Sequence, residues 1–257
     1  MPVKTLKSRL ESGERLLGFA TIFSSPATIE MVGGQFDWVW IDAQHGLWDR
    51  TSAADALRAA DLVGTHSVLR VPGHEYGIIG PFIDLAPSAV MVPMVDNAEQ
   101  AARVVEAVHF PPLGKRSYGG RRVVDRYGRG YPHMAEATPL LIAQIETPEG
   151  VENADAVAAT PGVDALLFGA DDFRLRLGVD MADPQPNPKV DEAMLRIIAA
   201  CQAHGKFGGI IPGSDSEALK RFARAGYQLL LVGSDTGAIR TWCRDSLDSA
   251  EGTLASL

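Results

Sequence analysis

The sequence predicts a single (β/α)8 barrel domain spanning residues 1–257. Two observations lead to this fold class: eight short apolar segments, and helical patterns that alternate with them along nearly the whole chain. The chain has 257 residues and is 46% hydrophobic, so it can build one large core. A doubly wound open sheet is the structural alternative, but no GxGxxG motif follows the first strand.

The eight strands are predicted from near-continuous apolar runs. Such runs are typical of parallel strands that are covered on both faces. Eight strand-and-helix units in about 250 residues match the size of a (β/α)8 barrel. The predicted strands are LLGFATIF (16–23), FDWVWIDA (36–43), HSVLRVP (66–72), AVMVPMV (89–95), LLIAQIE (140–146), ALLFGAD (165–171), FGGIIPG (207–213) and QLLLVGS (228–234).

Three of the intervening helices carry recognisable end signals. Asn97 is a predicted N-cap for the helix in NAEQAARVVEAVHF, and Gly205 is a predicted stop for DEAMLRIIAACQAHG. The segment SDSEALKRFARAG carries a predicted capping box from Ser214 to Glu217 and ends on Gly226.

Two segments interrupt this alternation. Residues 110–138 are rich in Gly, Arg and Pro, and residues 179–189 are rich in Pro. Both are predicted to be loops too long to act only as connectors, and such loops usually serve function or assembly.

Composition limits the classes of partner. The formal net charge is −8 and the pI about 5.2, which disfavours binding to nucleic acid or to an anionic membrane. No apolar run approaches the roughly 20 residues of a membrane span, and the N-terminus shows no signal-peptide pattern. Cys201 and Cys243 form neither a disulfide framework nor a zinc pattern. The expectation is therefore a cytoplasmic protein with two free thiols that acts on small molecules.

Ionisable side chains gather at the predicted C-terminal ends of the strands. This is the end at which (β/α)8 barrels carry their active sites, so the pattern favours an enzyme. The strand ends supply Asp42 and His45 from strand 2, Arg70 from strand 3, Gln144 and Glu146 from strand 5, Asp171 and Asp172 from strand 6, and Ser234 and Asp235 from strand 8.

These residue types suit enolate chemistry on a small 2-oxo acid. Glu146 and Asp172 are a carboxylate pair suited to a hard divalent ion that keeps open positions for water and substrate. Arg70 can hold a carboxylate in two hydrogen bonds. His45 can move a proton near neutral pH, with Asp42 or Asp84 as its partner. Such an ion would chelate the ketone and carboxylate oxygens of the substrate and stabilise the developing enolate.

Each signal also has an ordinary structural interpretation. His45 could be a hydrogen-bonded loop residue, and Arg70 could form a structural salt bridge. The GADD segment, which ends at Asp172, could be a turn with a helix cap. Glu146 is harder to explain in this way, because an unpaired charge at the end of a buried run is costly. The basic segment 114–130 is predicted to be a solvated or intersubunit loop, with attraction of an anionic substrate as the second interpretation.

The motifs resemble those of a known enzyme family. FDWVWIDAQHG, VLRVP, VMVPMVDNAEQA, FPPLGKRSYGGRR, IAQIETPEGVENADAVAATPGVDALLFGADDF and LLVGSD are similar to segments of the HpcH/HpaI aldolases. These are metal-dependent pyruvate aldolases of the 4-hydroxy-2-oxoheptanedioate type, with relatives that act on 2-keto-3-deoxy sugar acids. The resemblance covers roughly residues 5 to 240 and is most specific in the Q-x-E-T-x-x-G-V segment.

The resemblance implies roles for particular residues. It implies that Glu146 and Asp172 bind Mg²⁺, Mn²⁺ or Co²⁺, that Arg70 holds the pyruvyl carboxylate, and that His45 transfers a proton in company with Asp42 and Asp84. It places Gln144 and the backbone of Gly169, Ala170 and Asp171 beside bound pyruvate. It also implies a homo-hexamer in which the last helix, about residues 236–254, is swapped between neighbours.

Three positions depart from many relatives of that family. Gln44 stands where Glu is frequent, Ala170 where Pro is frequent, and Ser117 where Gly is frequent. Gln44 removes one negative charge beside the expected metal waters. This leaves the acceptor aldehyde and the proton route open.

The expected function is divalent-metal-dependent aldol cleavage of a 4-hydroxy-2-oxo acid to pyruvate, or hydroxypyruvate, and an aldehyde. An acyl-CoA lyase or an oxaloacetate decarboxylase on the same scaffold is the alternative, and for a CoA enzyme the segment 114–130 is the candidate nucleotide groove. A non-catalytic barrel used as a binding module is the alternative from another class.

Overall fold

A computed structural model of the chain describes residues 4–182, 187–213 and 215–256. Eight parallel strands form one closed barrel in sequence order, and the last strand pairs with the first. The (β/α)8 prediction is therefore confirmed, and each predicted strand contains an observed one. The strands are β1 Leu16–Thr21, β2 Trp38–Asp42, β3 His66–Arg70, β4 Ala89–Val92, β5 Leu140–Ile145, β6 Ala165–Phe168, β7 Phe207–Ile210 and β8 Leu229–Ser234.

The α-helices surround this barrel. Several strands are shorter than predicted because their last residues turn into the rim, where side chains no longer face a core. The helices are α1 Leu6–Glu11, α2 Pro26–Val32, α3 Arg50–Val63, α4 Tyr76–Ile83, α5 Ala98–Val108, α6 Arg121–Tyr127, α7 Pro148–Glu152, α8 Ala154–Ala159, α9 Ala170–Arg176, α10 Pro188–Ala203, α11 Ser216–Ala225 and α12 Asp235–Leu254.

The strands bury side chains on both faces, which explains their apolar sequences. One cluster fills the barrel interior and includes Trp38, Trp40, Met91 and Leu167. A larger cluster lies between the outer faces of the strands and the helices. Alternate residues of a strand belong to the two clusters, so each strand must be apolar throughout.

Most of the predicted helix ends are confirmed. The side chain of Asn97 accepts from the backbone N–H of Gln100 at the start of α5. Gly205 follows α10 with a φ of 62°, and Gly226 ends α11 with a φ of 111°. The predicted cap Ser214 lies outside the described residues, and Asp215 caps α11 instead.

The segment 110–138 is more ordered than the predicted loop. It contains α6 and two short 3-10 turns, Tyr131–His133 and Ala135–Ala137. Its apolar residues form a small third cluster with Ala86, which attaches the segment to the barrel. The pattern was too irregular to show a helix, because these side chains face a local cluster and not the main core.

The predicted loop 179–189 is only partly described, since residues 183–186 lie outside the described residues. Its end is helical, because α10 begins at Pro188. None of the described helices is long and apolar enough to cross a membrane.

Candidate active site

The segment IDAQHG forms a tight turn at the C-terminal end of β2. The carboxylate of Asp42 accepts from the backbone N–H groups of Gln44 and His45, at 3.1 and 3.2 Å. Gly46 packs so closely that a Cβ there would lie 2.2 Å from the backbone oxygen of Asp42. Glycine is therefore required, because any side chain would push the turn away from the strand end.

Asp42 and Arg70 form a buried, two-point ion pair across adjacent strands. Nε and Nη2 of Arg70 donate to the two carboxylate oxygens of Asp42 at 2.8 and 2.6 Å. Burial alone would raise the pKa of Asp42, but Arg70 outweighs it and holds that pKa below its ordinary value. One edge of the guanidinium is occupied by Asp42, and Nη1 remains for another acceptor.

A chain of polar contacts leads from Arg70 to the predicted metal ligand. Nη1 of Arg70 lies 3.5 Å from Oε1 of Gln144, whose Nε2 donates to Oε2 of Glu146 at 2.6 Å. The other oxygen of Glu146 accepts from the backbone N–H of Met94 at 2.9 Å. The two ends of this chain are a cation suited to a substrate carboxylate and a carboxylate suited to a divalent ion.

Glu146 is a buried carboxylate under electrostatic stress. Glu146 is only 1% exposed to solvent. Burial, together with the negative charge of Asp172, raises the pKa of Glu146 to about 7, although the N–H of Met94 acts in the opposite direction. Two carboxylates that repel each other and have little contact with solvent become more stable when a cation binds between them.

The start of α9 supplies the second carboxylate and a close backbone approach. Asp172 lies in the first turn of α9 and is half-buried, while Asp171 is exposed. A Cβ on Gly169 would lie 2.7 Å from Oε2 of Glu146 and 3.0 Å from Nε2 of Gln144. The backbone at Gly169 and Ala170 therefore lies directly against the predicted metal and substrate residues.

These observations fit a divalent ion bound by two protein carboxylates. Within the described part of the chain, no group of three or more His, Cys, Asp or Glu is arranged to hold a metal. Glu146 and Asp172 would therefore leave most coordination positions to water and substrate, as Mg²⁺ and Mn²⁺ commonly require. The raised pKa of Glu146 and the close approach of the Gly169 backbone to its carboxylate agree with this arrangement.

The structure does not join His45 to either predicted acid. His45 is exposed at the turn after β2, and its contact with Asp42 is through its backbone N–H. Asp84 follows α4, where its carboxylate pairs with Nη2 of Arg116 at 3.2 Å. Asp84 and Arg116 line a surface cleft of about 270 Å³.

Ser234 and Asp235 have structural roles at the end of β8. The hydroxyl of Ser234 caps α12, and the buried carboxylate of Asp235 accepts from the backbone N–H groups of Ile22 and Phe23. Both contacts belong to the turn that joins β8 to α12.

Two contributors to the site were absent from the sequence prediction. Met94 supplies a backbone N–H to Glu146 from a left-handed conformation, with a φ of 57°. Trp40 packs its ring against the guanidinium of Arg70, 4.8 Å from ring centroid to Cζ. A backbone donor leaves no sequence signal, and Trp40 has the pattern of an ordinary residue in an apolar strand.

Comparisons with known proteins agree with the geometry. A family model described as HpcH/HpaI aldolase/citrate lyase matches residues 18–241. The chain is 36% identical over 254 residues to a 4-hydroxy-2-oxovalerate aldolase of Novosphingobium aromaticivorans, covering 96% of this chain and 94% of that protein. It is 33% identical over 258 residues to a hydroxypyruvate/pyruvate aldolase of Chromohalobacter salexigens, covering 98% and 99%.

A solved structure shows the same architecture. It is that of an HpcH/HpaI aldolase/citrate lyase family protein from Burkholderia cenocepacia, with a TM-score of 0.87 and 31% identity over 96% of this chain and 98% of that chain. The family model and these full-length similarities lead to one conclusion. The chain belongs to the HpcH/HpaI aldolase/citrate lyase family.

Proposed function

We propose that this protein is a divalent-metal-dependent aldolase that reversibly cleaves a 4-hydroxy-2-oxo acid to pyruvate, or hydroxypyruvate, and an aldehyde. One observation carries the proposal: the polar chain from Arg70 through Gln144 to Glu146, with Asp172 nearby. This chain of contacts supports a site in which Arg70 binds a substrate carboxylate while Glu146 and Asp172 bind the ion. The names of the relatives support the same substrate class.

A divalent ion held by Glu146 and Asp172 would supply Lewis-acid polarisation of the 2-oxo group. The residues of the chain bind and orient the substrate. The free side of Arg70, at Nη1, would donate to the carboxylate of the 2-oxo acid. Gln144 contacts both Arg70 and Glu146, so it would lie beside the bound substrate, and the close backbone at Gly169 would limit the space there.

The proposed proton route begins at His45. In cleavage, the imidazole of His45 takes the proton of the 4-hydroxyl and the C3–C4 bond breaks. The electron pair of that bond forms the enolate of pyruvate, and the aldehyde leaves. The imidazolium of His45 then returns a proton to C3, which completes pyruvate and restores the base. Asp84 is proposed as a partner for His45. Because His45 is exposed and Asp84 lines a surface cleft, this pair would form between subunits.

Assembly is part of the proposal. Within α12 only Asp235 is buried, and large apolar side chains are exposed along the helix. They are Ile239 at 53%, Trp242 at 70%, Leu247 at 58% and Leu254 at 68%. Burial of such residues favours association, so we propose a homo-hexamer with residues 236–254 packed on a neighbour, while 1–257 forms one domain.

The metal and the compartment are proposed from the chemistry of the side chains. Two carboxylates and open positions suit Mg²⁺, Mn²⁺ or Co²⁺. Cys243 is an exposed free thiol, which suits a reducing cytoplasm.

The acyl-CoA alternative finds less support in the structure. Most cations of the segment 114–130 are already paired with acids of the same chain. These pairs are Lys115–Glu106, Arg116–Asp84, Arg121–Asp125, Arg122–Asp61 and Arg126–Asp61. Oxaloacetate decarboxylation passes through the same enolate and would be a side reaction.

The test needs no knowledge of the aldehyde. Metal-stripped protein is incubated with pyruvate in D₂O, with and without Mg²⁺ or Mn²⁺, and loss of the methyl proton signal is followed by NMR. We expect metal-dependent exchange that is lost in Glu146→Ala and Arg70→Ala. Glu149→Ala and Arg103→Ala are matched controls, because both residues are exposed on nearby helices.

Absence of exchange with every metal would refute the pyruvate chemistry. A non-catalytic barrel predicts that Glu146→Ala leaves metal content unchanged, so metal analysis separates the two readings. Assembly is tested by light scattering, with about 165 kDa expected for six chains of 27.5 kDa. Regained exchange on mixing His45→Ala with Asp84→Ala subunits would support the intersubunit pair; a mixture as inactive as its parents would contradict it.

A further inference from the structure

The indole of Trp40 is the exception among the buried tryptophans. The N–H of Trp38 donates to the carbonyl of Leu16 at 3.1 Å, and that of Trp48 to the carbonyl of Thr21 at 2.8 Å. Trp40 is only 3% exposed, yet its Nε1 has no hydrogen-bond partner among the described residues. Buried indole N–H groups usually find a partner, so something else must hold this ring in place.

The ring face of Trp40 provides the explanation. Trp40 points into the barrel, one inward step below Asp42 on β2. Its ring lies beneath the guanidinium of Arg70, with 4.8 Å between the ring centroid and Cζ. A cation over an indole face is attracted by the ring quadrupole, and the attraction is strongest where both groups are desolvated.

Arg70 needs this second restraint. Asp42 holds one edge of the guanidinium through Nε and Nη2, but the contact of Nη1 with Gln144 is long, at 3.5 Å. An edge contact alone leaves the plane free to tilt about the line that joins the two residues. Contact with a flat ring opposes that tilt, because tilting separates the faces.

The barrel provides room for a ring at this level. In the strand register, Trp40 stands beside Ala20 of β1 and Val68 of β3. Small neighbours on both sides allow the indole to lie under Arg70 instead of being packed upright. The same strand could have carried a leucine, which would fill the core without a flat polarisable face.

We infer that Trp40 is a positioning residue for carboxylate binding: its indole face fixes the plane of Arg70, so that the free side of the guanidinium meets the carboxylate of the 2-oxo acid. The inference rests on the proposed function, because it requires that Arg70 binds the substrate carboxylate. Correct orientation of the donors matters since two-point recognition requires coplanar partners.

The test compares side chains that keep or remove the ring face. Trp40→Phe keeps an aromatic face, whereas Trp40→Leu and Trp40→Met keep apolar volume without one. Trp48→Leu is the control for loss of a buried indole outside the barrel. The dissociation constant of pyruvate is measured by calorimetry on Mg²⁺-loaded protein, and circular dichroism verifies folding. Two variants without an aromatic ring, here called the faceless variants, are made so that the test still works if one of them fails to fold.

We expect the dissociation constant to rise about threefold to thirtyfold in Trp40→Leu and Trp40→Met. It should stay within about threefold of wild type in Trp40→Phe. The affinity for Mg²⁺ measured without pyruvate should not change in any of the variants. Rescue by phenylalanine is the outcome that a purely structural role would not produce.

Fluorescence gives an independent signature. Pyruvate bound to Arg70 would change the electric field at the indole of Trp40, 4.8 Å from Cζ of Arg70, so pyruvate should alter the tryptophan emission of the wild type. That change should vanish in Trp40→Phe, although calorimetry still detects binding, and it should persist in Trp48→Phe. Mg²⁺ is used because it is diamagnetic.

The outcomes separate the two proposals. If the wild type binds pyruvate and the faceless variants bind it within twofold of wild type, the role of Trp40 is refuted and the proposed function stands. If the wild type shows neither pyruvate binding nor deuterium exchange with any metal, both proposals are refuted.

Discussion

Replacing Glu146 by Gln should change how the stability of the metal-free protein depends on pH. The pKa of Glu146 is raised in the folded protein, from an ordinary 4.5 to about 7. Between these values the folded state binds more protons than the unfolded state, so the free energy of unfolding falls as pH rises. Below both pKa values the carboxyl is protonated in the folded and the unfolded state, so it does not lower the free energy of unfolding. Above about 7 the full cost is present.

The size of the effect follows from the difference in pKa. A difference of about 2.5 pH units corresponds to about 3.5 kcal/mol at about 1.4 kcal/mol per unit, of which about 2.5 kcal/mol falls between pH 5 and pH 8. Glutamine cannot ionise, so this part of the pH dependence should disappear. Relative to wild type, Glu146→Gln should gain about 2.5 kcal/mol on going from pH 5 to pH 8.

Urea unfolding of EDTA-treated protein, followed by circular dichroism at four pH values between 5 and 8, measures this difference. The exposed neighbour Glu149→Gln is the matched control, and its difference from wild type should not vary with pH. A constant difference between Glu146→Gln and wild type across this range would refute the reasoning. It would mean that Glu146 ionises in the fold as easily as in the unfolded chain.

Mg²⁺ should restore to the wild type the stability that ionised Glu146 removes, and should do so far less in Glu146→Gln. At pH 8, Mg²⁺ at 100 times its dissociation constant should raise the free energy of unfolding of the wild type by about 2.7 kcal/mol. Glu146→Gln should gain much less, because one of its two proposed ligands is neutral. Equal stabilisation of both proteins would place the metal elsewhere.

Two further substitutions test the packing of the site. Gly169→Ala should weaken Mn²⁺ binding about tenfold or more, because the new Cβ would lie 2.7 Å from Oε2 of Glu146. A spin-resonance titration measures the Mn²⁺ affinity, and Gly80→Ala in α4 is the control because its Cβ would meet nothing within 4 Å. Unchanged affinity in Gly169→Ala would contradict the contact. Asp42→Asn should lower the free energy of unfolding by about 3 kcal/mol, because the substitution leaves the buried Arg70 without its charged partner. Thermal and urea unfolding measure this loss. A loss below about 1 kcal/mol would contradict a buried ion pair.

The strands were predictable because a parallel barrel covers each strand on both faces. Both clusters of buried residues draw on the same strands, so the apolar runs that contain Trp40 or Leu167 could only be buried segments. The segment 110–138 was not predictable to the same degree. Its order depends on a small cluster around Val123 and Tyr131, which has no regular period in the sequence.

For the site, the chain order determined which residues end the strands, and therefore that Asp42, Arg70, Gln144 and Glu146 share one rim. Their partners were decided by tertiary structure, since hydrogen bonds between β2, β3 and β5 depend on side-chain directions that no local pattern encodes. Asp42 was expected as a partner for the imidazole of His45, yet its carboxylate pairs with Arg70 and meets only the backbone N–H of His45. A buried guanidinium needs a charged partner more than an exposed imidazole does.

The sequence by itself determined the barrel, its strand ends and the residue types available for carboxylate and metal binding, because burial periodicity and strand direction are local properties. Only the tertiary structure decided that Met94 supplies a backbone donor to Glu146, that Trp40 lies under Arg70, and that Asp84 pairs with Arg116. These contacts join residues far apart in the chain. Their geometry arises from packing in three dimensions, which a linear pattern does not record.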